Sequence, residues 1–215
     1  DGCVAYVGQP IVLVIADSRA IAEDAAALIE IDYAEEDPLV TISQAKSGRP
    51  VHAAMDDNIA GQMGDEEIDE ELEAQLKGAA HLISHRVTHQ RISQSPMETR
   101  GIVVTRDGNE ELLLYITCQS PHTIGRWLAQ ALGYPQTAIR VIAKDVGGSF
   151  GLKNHPWMEE SAVILAALLY GRPIKWIEDR YENLISANQA REQEMTLQIG
   201  FDAQGKIVAA HSFYD

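Results

Sequence analysis

The sequence contains few cysteines and no long apolar run. Cys3 and Cys118 are the only thiols among 215 residues, and no C-x-x-C spacing occurs, so a disulfide framework is not indicated. The longest apolar run, residues 162–170, is far shorter than the ~20 residues that a membrane-spanning helix needs. No secretory leader precedes Cys3. We therefore expect a soluble protein in a reducing cytoplasm.

Basic residues are also scarce. The chain has 17 Lys and Arg against 32 Asp and Glu, which gives a formal net charge of −15. The resulting field repels phosphate backbones and anionic membranes, and no basic stripe with interleaved aromatic residues offsets it. We therefore expect no nucleic acid partner. With 46% apolar and 23% charged residues, the composition is that of one large or two modest globular domains.

Common catalytic and nucleotide-binding motifs are missing. Neither the G-x-S-x-G elbow of hydrolases nor the H-E-x-x-H motif of zinc proteases occurs. The phosphate-loop template fails at Leu152 and Asn154, where it needs Gly and Ser or Thr, and the G-x-G step of the dinucleotide template is absent. Hydrolases and the usual nucleotide folds are therefore not expected.

Three histidines at four-residue intervals invite a zinc hypothesis. His81, His85 and His89 would share one face of a helix. The residues between them are instead typical of a strand, which at ~3.3 Å per residue separates neighbouring histidines by about 13 Å. That distance is too long for one metal ion, so we predict no metal site there.

The first third of the chain predicts a strand, a helix and a second strand. Residues 11–16 read as a strand covered on both faces, and a helix capped by Asp17 or Ser18 runs from Arg19 to about Leu28. Residues 29–33 then alternate as a half-exposed strand does. Residues 34–65 predict a long connecting segment. The acidic run 65–73 favours a solvated helix ending near Gly78 over a cation site.

The remainder predicts a mixed α+β domain. Its expected strands form an antiparallel meander over 80–93, 102–105 and 112–118, with Asp107-Gly108 as a turn. Helices are predicted over 122–132 and 157–170, each alternating with a strand. Two closing strands, 191–201 and 207–214, are joined by the turn 202–205.

The segment 138–153 reads as strand, glycine loop and helix. Gly147, Gly148 and Gly151 allow positive φ angles and a close backbone approach, so free N–H groups can point at phosphate or at metal-bound oxygen. A tight turn that binds nothing explains the same glycines. The glycines alone leave both interpretations open.

Polar residues at a predicted strand end give a second candidate. Gln119 is either a neutral donor to an oxo or carbonyl oxygen or a polar helix cap. Cys118 favours a core position over a soft metal ligand. Glu98 and Arg100, two residues apart in 95–101, could position an anion or form a local ion pair. His155 and Glu159 read as helix-entry residues because Pro156 separates them.

Five segments in this order resemble the molybdenum-binding subunit of the molybdenum hydroxylases, the family of xanthine dehydrogenase, aldehyde oxidoreductase and the carbon monoxide dehydrogenase large chain. Single motifs of this kind are weak, but five in register are a strong resemblance. The segments are 6–10 (compare Y-V-G-Q-P), 95–101 (P-M-E-P-R-G), 117–122 (S-T-Q-x-P-H), 145–153 (D-V-G-G-G-F-G-x-K) and 171–180 (G-R-P-V-K-W-x-E-D-R).

The resemblance implies an α+β fold in three parts. Residues 1–45 would be the C-terminal part of a hammerhead-like α/β domain, 46–79 a linker with an acidic helix, and 80–215 the first part of the molybdopterin-binding domain. It also implies molybdopterin with molybdenum, in the cytosine dinucleotide form, with iron–sulfur clusters and FAD on partner subunits or domains. The parent protein would be a hetero-oligomeric oxidoreductase of a small-molecule substrate.

The resemblance also assigns cofactor-binding residues. In the family, the glutamine matching Gln119 hydrogen-bonds an oxygen ligand on molybdenum. The loop matching Gly147, Gly148, Phe150 and Gly151 lies against cofactor and substrate, with Phe150 as a pocket wall. No metal ligand or catalytic residue is carried over to this chain.

Departures from the family motifs limit these assignments. Thr99 stands at a usual proline, Ser149 replaces a glycine, and Asn154 gives no support for purine recognition by a glutamate. The family's glutamate base belongs to a motif beyond Asp215, so this chain alone is expected to be inactive. The alternative function is a non-catalytic binding or assembly module of the same fold without cofactor.

Overall fold

A computed structural model describes residues 2–64, 68–108 and 110–215. The described helices are α1 (Arg19–Ala26), α2 (Ile42–Ser47), α3 (Glu70–Gly78), α4 (Pro121–Leu132), α5 (Met158–Tyr170) and α6 (Arg180–Ser186), with a 3-10 helix at Gln136–Ala138. The described strands are β1 (His81–Ile92), β2 (Gly101–Arg106), β3 (Leu112–Ile116), β4 (Ile139–Ile142), β5 (Ile174–Ile177), β6 (Ala190–Phe201) and β7 (Ile207–Tyr214). None of these helices combines the length and apolar character needed to cross a membrane.

The chain divides into two compact units. Unit 1 comprises Asp1–Tyr33 and Ser93–Gln189, and unit 2 comprises Ala34–Ile92 and Ala190–Asp215. The divisions at residues 45 and 80 concern the domains of the parent protein and stay predictions.

Unit 1 is built on a four-stranded sheet in the order β4-β3-β2-β5. Strand β2 is antiparallel to β3 and to β5, whereas β3 and β4 are parallel and are connected through α4. Helix α4 packs on β4, and α5 packs on β2 and β5. Branched and aliphatic side chains from the sheet and both helices form its core: Ile102, Val104, Leu112, Leu114, Ile116, Cys118, Ile124, Leu128, Ile139, Val163, Ile164 and Ala167.

Unit 2 is a three-stranded antiparallel sheet in the order β1-β6-β7. Helix α3 packs on β6 and β7 and buries Leu76. Asp69 caps α3 by accepting a hydrogen bond from Glu71 N, and three glutamates occupy the first turn, where their charge complements the positive end of the helix dipole.

Several predicted elements are confirmed, as is the mixed α+β architecture. Helices α4 and α5 begin and end within one residue of the predicted bounds, and β6 and β7 form the closing pair. Ser18 rather than Asp17 caps α1, with its Oγ accepting from Ile21 N at 3.3 Å. The acidic helix begins at Glu70, and residues 65–67 of the acidic run lie outside the described residues.

The two strands predicted around α1 are wrong. Neither 11–16 nor 29–33 is a strand, and Ile11, Val12 and Leu13 are exposed. A continuous apolar run indicates a buried strand only where neighbours cover it on both faces. Here the two segments border an open cavity of about 300 Å³ instead.

The predicted meander is also wrong for its first strand. Strand β1 does not pair with β2 but with β6, with His81 opposite Phe201 and Ile92 opposite Ala190. The β2–β3 pair is antiparallel as predicted. Helices α2 and α6 were not predicted at all, although Asp179 and Glu182 form a capping box at the start of α6.

The segment before α1 lies against the end of α6. A Cβ atom built on Gly8 would lie 2.2 Å from the carbonyl oxygen of Ile185, and Gly8 has a φ of +88°. Only glycine combines this conformation with so close a backbone approach, which explains the glycine of the motif at 6–10.

Candidate functional site

The candidate site lies at one edge of the unit 1 sheet. Strands β3 and β4 are parallel neighbours, so the segments that follow Ile116 and Ile142 leave the same edge. Gln119 lies in the first segment, and the glycine loop, residues 147–151, lies in the second. Ligands of α/β sheets commonly bind where parallel strands end in this way.

The glycine loop presents several free backbone donors. Gly148, Phe150 and Gly151 have φ angles of +98°, +55° and +95°. Within the described part of the chain, the backbone N–H groups of residues 148–151 have no hydrogen-bond acceptor. Successive backbone amides in such a loop form a concave surface suited to oxygen atoms.

The predicted strand–loop–helix layout needs one correction. The helix does not follow the last glycine directly, because turns and irregular backbone continue to Trp157 and α5 begins only at Met158. The free N–H groups near this sheet edge therefore belong to the glycine loop and not to a helix N-terminus.

Gln119 is joined to the glycine loop. Its backbone N–H donates to the Lys153 carbonyl at 3.0 Å, and its side-chain Oε1 accepts a hydrogen bond from Ser149 Oγ. Its Nε2 has no acceptor among the described residues, and the side chain is exposed. Gln119 does not cap α4, whose N-cap is Ser120, so the helix-cap interpretation is wrong and the donor interpretation stands as the prediction.

A buried lysine is connected to the glycine loop through Glu98. Lys153 is 2% exposed and donates from Nζ to Glu98 Oε2 at 2.9 Å, and the same oxygen accepts from Gly147 N at 2.8 Å. Burial alone would raise the pKa of Glu98, but the hydrogen bonds from Lys153 and Gly147 lower it below its ordinary value. Glu98 is therefore an anion that fixes the start of the loop.

Arg100, Glu159, Glu160, Glu178 and Asn183 form a second group, the Arg100 cluster, which is almost entirely closed to solvent. Arg100 is 1% exposed. It donates to Glu178 Oε1 from Nε at 2.9 Å and to both carboxylate oxygens of Glu159 at 2.7 and 3.1 Å. Asn183 donates to Glu178 Oε2 at 2.8 Å. The cluster joins the residue before β2, Arg100, and the residue after β5, Glu178, to helices α5 and α6.

Three carboxylates face one guanidinium in this cluster. Burial would lower the pKa of Arg100, but hydrogen bonds to Glu159 and Glu178 raise it above its ordinary value. Burial raises the pKa of Glu160 to about 7 against the opposing attraction of Arg100, while Glu160 Oε2 accepts from Trp157 N at 2.8 Å. Glu160 is therefore a carboxyl of the Arg100 cluster whose pKa lies near neutral pH.

The local ion-pair interpretation of the 95–101 segment is wrong, and the anion-positioning interpretation stays a prediction. Glu98 and Arg100 do not form a local ion pair, because Glu98 pairs with Lys153 and Arg100 with residues 59 to 78 positions away. Sequence reasoning also gave no role to Ser149 or Lys153. Their positions within the D-V-G-G-G-F-G-x-K match indicated that both residues belong to one loop. The match did not indicate which contacts they make.

The other candidate residues lie as follows. Cys118 is 3% exposed and belongs to the core, as predicted, and burial raises the pKa of its thiol. The three histidines lie on β1 as an extended segment, and the described residues contain no metal-ligating group of three or more His, Cys, Asp or Glu. Phe150 is 74% exposed at the tip of the glycine loop.

Comparison with known proteins supports one family. Residues 51–214 match the family model of the molybdopterin cofactor-binding domain. The chain is 35% identical to the nicotine 6-hydroxylase large subunit of Paenarthrobacter nicotinovorans, over 99% of this chain and 26% of that protein. It is 31% identical to the carbon monoxide dehydrogenase large chain of Afipia carboxidovorans, over 97% of this chain and 28% of that protein.

A solved structure shares the fold. The quinoline 2-oxidoreductase of Pseudomonas putida 86 superposes with a TM-score of 0.78 at 33% identity, over 93% of this chain and 25% of that chain. The chain thus spans about a quarter of the length of the relatives it matches. With three quarters of the chain inside the family model and all five motifs present, this chain belongs to the molybdopterin cofactor-binding domain family.

Proposed function

We propose that this chain is part of the cofactor-binding large subunit of a molybdopterin-dependent oxidoreductase. The parent protein oxidises an aldehyde, an N-heterocycle or carbon monoxide with oxygen from water. The observation that carries the proposal is the junction of Gln119 with the glycine loop, which gathers the free N–H groups of residues 148–151 and one carboxamide N–H₂ at one edge of the sheet.

The donors at this edge fit an oxygen-rich group. They are neutral amides. The nearby cation, Lys153, is buried and is paired with Glu98. Neutral donors bind oxygen ligands without adding charge. When bound, the molybdopterin group supplies a two-electron oxidation in which water provides the oxygen atom.

This chain's own residues bind and orient that group. Gln119 Nε2 would donate to an oxygen atom of the bound group, and the backbone amides of Gly148, Phe150 and Gly151 would approach it. Gly147 lets the loop lie against Glu98, since a Cβ there would be 2.6 Å from Glu98 Cβ. Phe150 forms a wall of the substrate pocket and excludes water from it.

The remaining parts of the proposal concern the parent protein. The cofactor is the cytosine dinucleotide form, and iron–sulfur and flavin subunits of a cytoplasmic hetero-oligomer take up the electrons. Residues 1–45 end a hammerhead-like domain, 46–79 form a linker, and 80–215 begin the cofactor-binding domain.

The first test is metal and pterin analysis of the purified full-length parent after expression with sufficient molybdate. We expect about one molybdenum and one pterin for each large subunit. Absence of both would favour the non-catalytic assembly module. Dye reduction by the complete complex with carbon monoxide, aldehydes and heteroaromatic compounds then identifies the substrate class.

The second test compares two glutamines of unit 1. Gln119→Ala should lower kcat by about 100-fold while metal content stays near one, because a donor aimed at the reacting centre is lost. Gln130, an exposed residue of α4, provides the matched control, and Gln130→Ala should behave as the wild type. Equal activity of both variants would contradict the role of Gln119.

A further inference from the structure

The hydroxyl of Ser149 makes two hydrogen bonds. Its Oγ accepts a hydrogen bond from Lys153 N at 3.0 Å and donates one to Gln119 Oε1. A backbone N–H can only donate, so the bond from Lys153 occupies one lone pair of Ser149 Oγ. The hydroxyl proton of Ser149 is directed at Gln119 Oε1, so the Gln119 carboxamide oxygen accepts from a hydroxyl that a backbone amide holds in place.

Lys153 anchors both ends of this arrangement. Its N–H holds Ser149 Oγ, and its carbonyl accepts from Gln119 N at 3.0 Å. The Lys153 side chain is buried and bonded to Glu98. Ser149 and Gln119 are thus attached to one residue that has little freedom to move.

A carboxamide otherwise has two orientations that exchange its oxygen and its N–H₂ group. With the oxygen held by Ser149, the N–H₂ group points away from that hydroxyl and finds no acceptor among the described residues. Without the hydroxyl, the two orientations differ little in free energy, and the donating orientation loses population.

We propose that Ser149 is a positioning residue for Gln119, which it fixes so that Nε2 donates to an oxygen of the bound molybdopterin group. This inference rests on the proposed function. It concerns the position at which the resembled motif carries glycine, so the hydroxyl is an addition to that motif.

The first experiment uses the full-length holoenzyme with three variants. Ser149→Ala should lower kcat about tenfold and change KM less than about threefold, because orientation acts on the reacting group rather than on substrate affinity. Ser149→Thr keeps a hydroxyl and should restore most of kcat. Ser120→Ala removes a hydroxyl whose Oγ lies 3.0 Å from Asn154 Oδ1 and should leave kcat unchanged.

A double-mutant cycle separates positioning from general support of the loop. Because Ser149 acts through Gln119, Ser149→Ala should cost less than about twofold in kcat when Gln119 is already alanine. An undiminished tenfold loss in that background would overturn the inference. Failure of threonine to restore kcat would also overturn it.

Electron paramagnetic resonance of the one-electron-reduced molybdenum gives a readout independent of turnover. Ser149→Ala should change the spectrum in the same direction as Gln119→Ala, at unchanged molybdenum and pterin content. If Ser149→Ala keeps its full molybdenum and pterin content and its spectrum is unaltered, this inference is overturned while the proposed function stands. Absence of metal and pterin from the wild-type parent overturns the proposed function and this inference with it.

Discussion

Two buried cations of unit 1 hold their surroundings in different ways. Arg100 is enclosed by three carboxylates and is 1% exposed, whereas Lys153 binds a single carboxylate, Glu98. The Arg100 cluster is closed, while the glycine loop in front of Lys153 carries donors without acceptors among the described residues. The difference separates charges that stabilise the fold from groups that are available to a ligand.

The largest expected effect concerns the Arg100 cluster. Arg100→Met leaves Glu159, Glu160 and Glu178 without their cation in a buried site, so the free energy of unfolding should fall by about 3–5 kcal/mol. Urea unfolding followed by tryptophan fluorescence measures this, because Trp127, Trp157 and Trp176 all lie in unit 1.

An exposed arginine at the far end of β2, Arg106, is the control. Arg106 pairs with Glu110 at the end of β2, where both side chains are partly or largely exposed, and exposed pairs contribute little. Arg106→Met should therefore leave the unfolding curve unchanged. If Arg100→Met also left the unfolding curve unchanged, the Arg100 cluster would not stabilise unit 1.

The next effect depends on pH. Since the folded-state pKa of Glu160 is about 7 against an ordinary value of 4.5, the folded chain binds more protons than the unfolded chain between these values. The stability contributed by Glu160 is therefore present at low pH and is lost as pH rises through 7.

Glu160→Gln should remove this loss. Relative to the wild type, its free energy of unfolding should rise by up to about 3 kcal/mol at pH 8 and by much less at pH 5. Fluorescence-detected unfolding at several pH values measures the difference between the two proteins. A difference that does not change with pH would contradict the raised pKa.

The smallest expected effect concerns the glycine loop. Gly147→Ala places a methyl group 2.6 Å from Glu98 Cβ, so the two loops must separate, at a cost of about 1–3 kcal/mol. A methyl group at Gly108 would meet only open space, and Gly108→Ala should leave stability nearly unchanged. Equal stability of the two variants would show that the loop adjusts without cost.

Local patterns predicted much of the fold. Helices α4 and α5 and the β6–β7 pair depend on periodicity and turns within short stretches, and each was predicted close to its bounds. Strand β1 was placed correctly, but its partner β6 lies about 100 residues later. No periodic pattern encodes so distant a pairing, which is why the meander was wrong.

The candidate site was only partly predictable. Gln119 and the glycine loop were selected by motif resemblance, and the parallel β3–β4 pair brings their segments to one edge. The roles of Glu98, Ser149 and Lys153 depend on bonds that join residues 4 to 55 positions apart. Such contacts follow from the packing of the loops and not from spacing in the sequence.

The two thiols offer an independent way to watch unit 1 open. Cys3 is exposed and Cys118 is buried in the core, where its raised pKa further slows alkylation. A thiol-reactive dye will therefore label the folded chain once and the unfolded chain twice. The rate of the second labelling step measures how often this core becomes accessible, without any substitution in the chain.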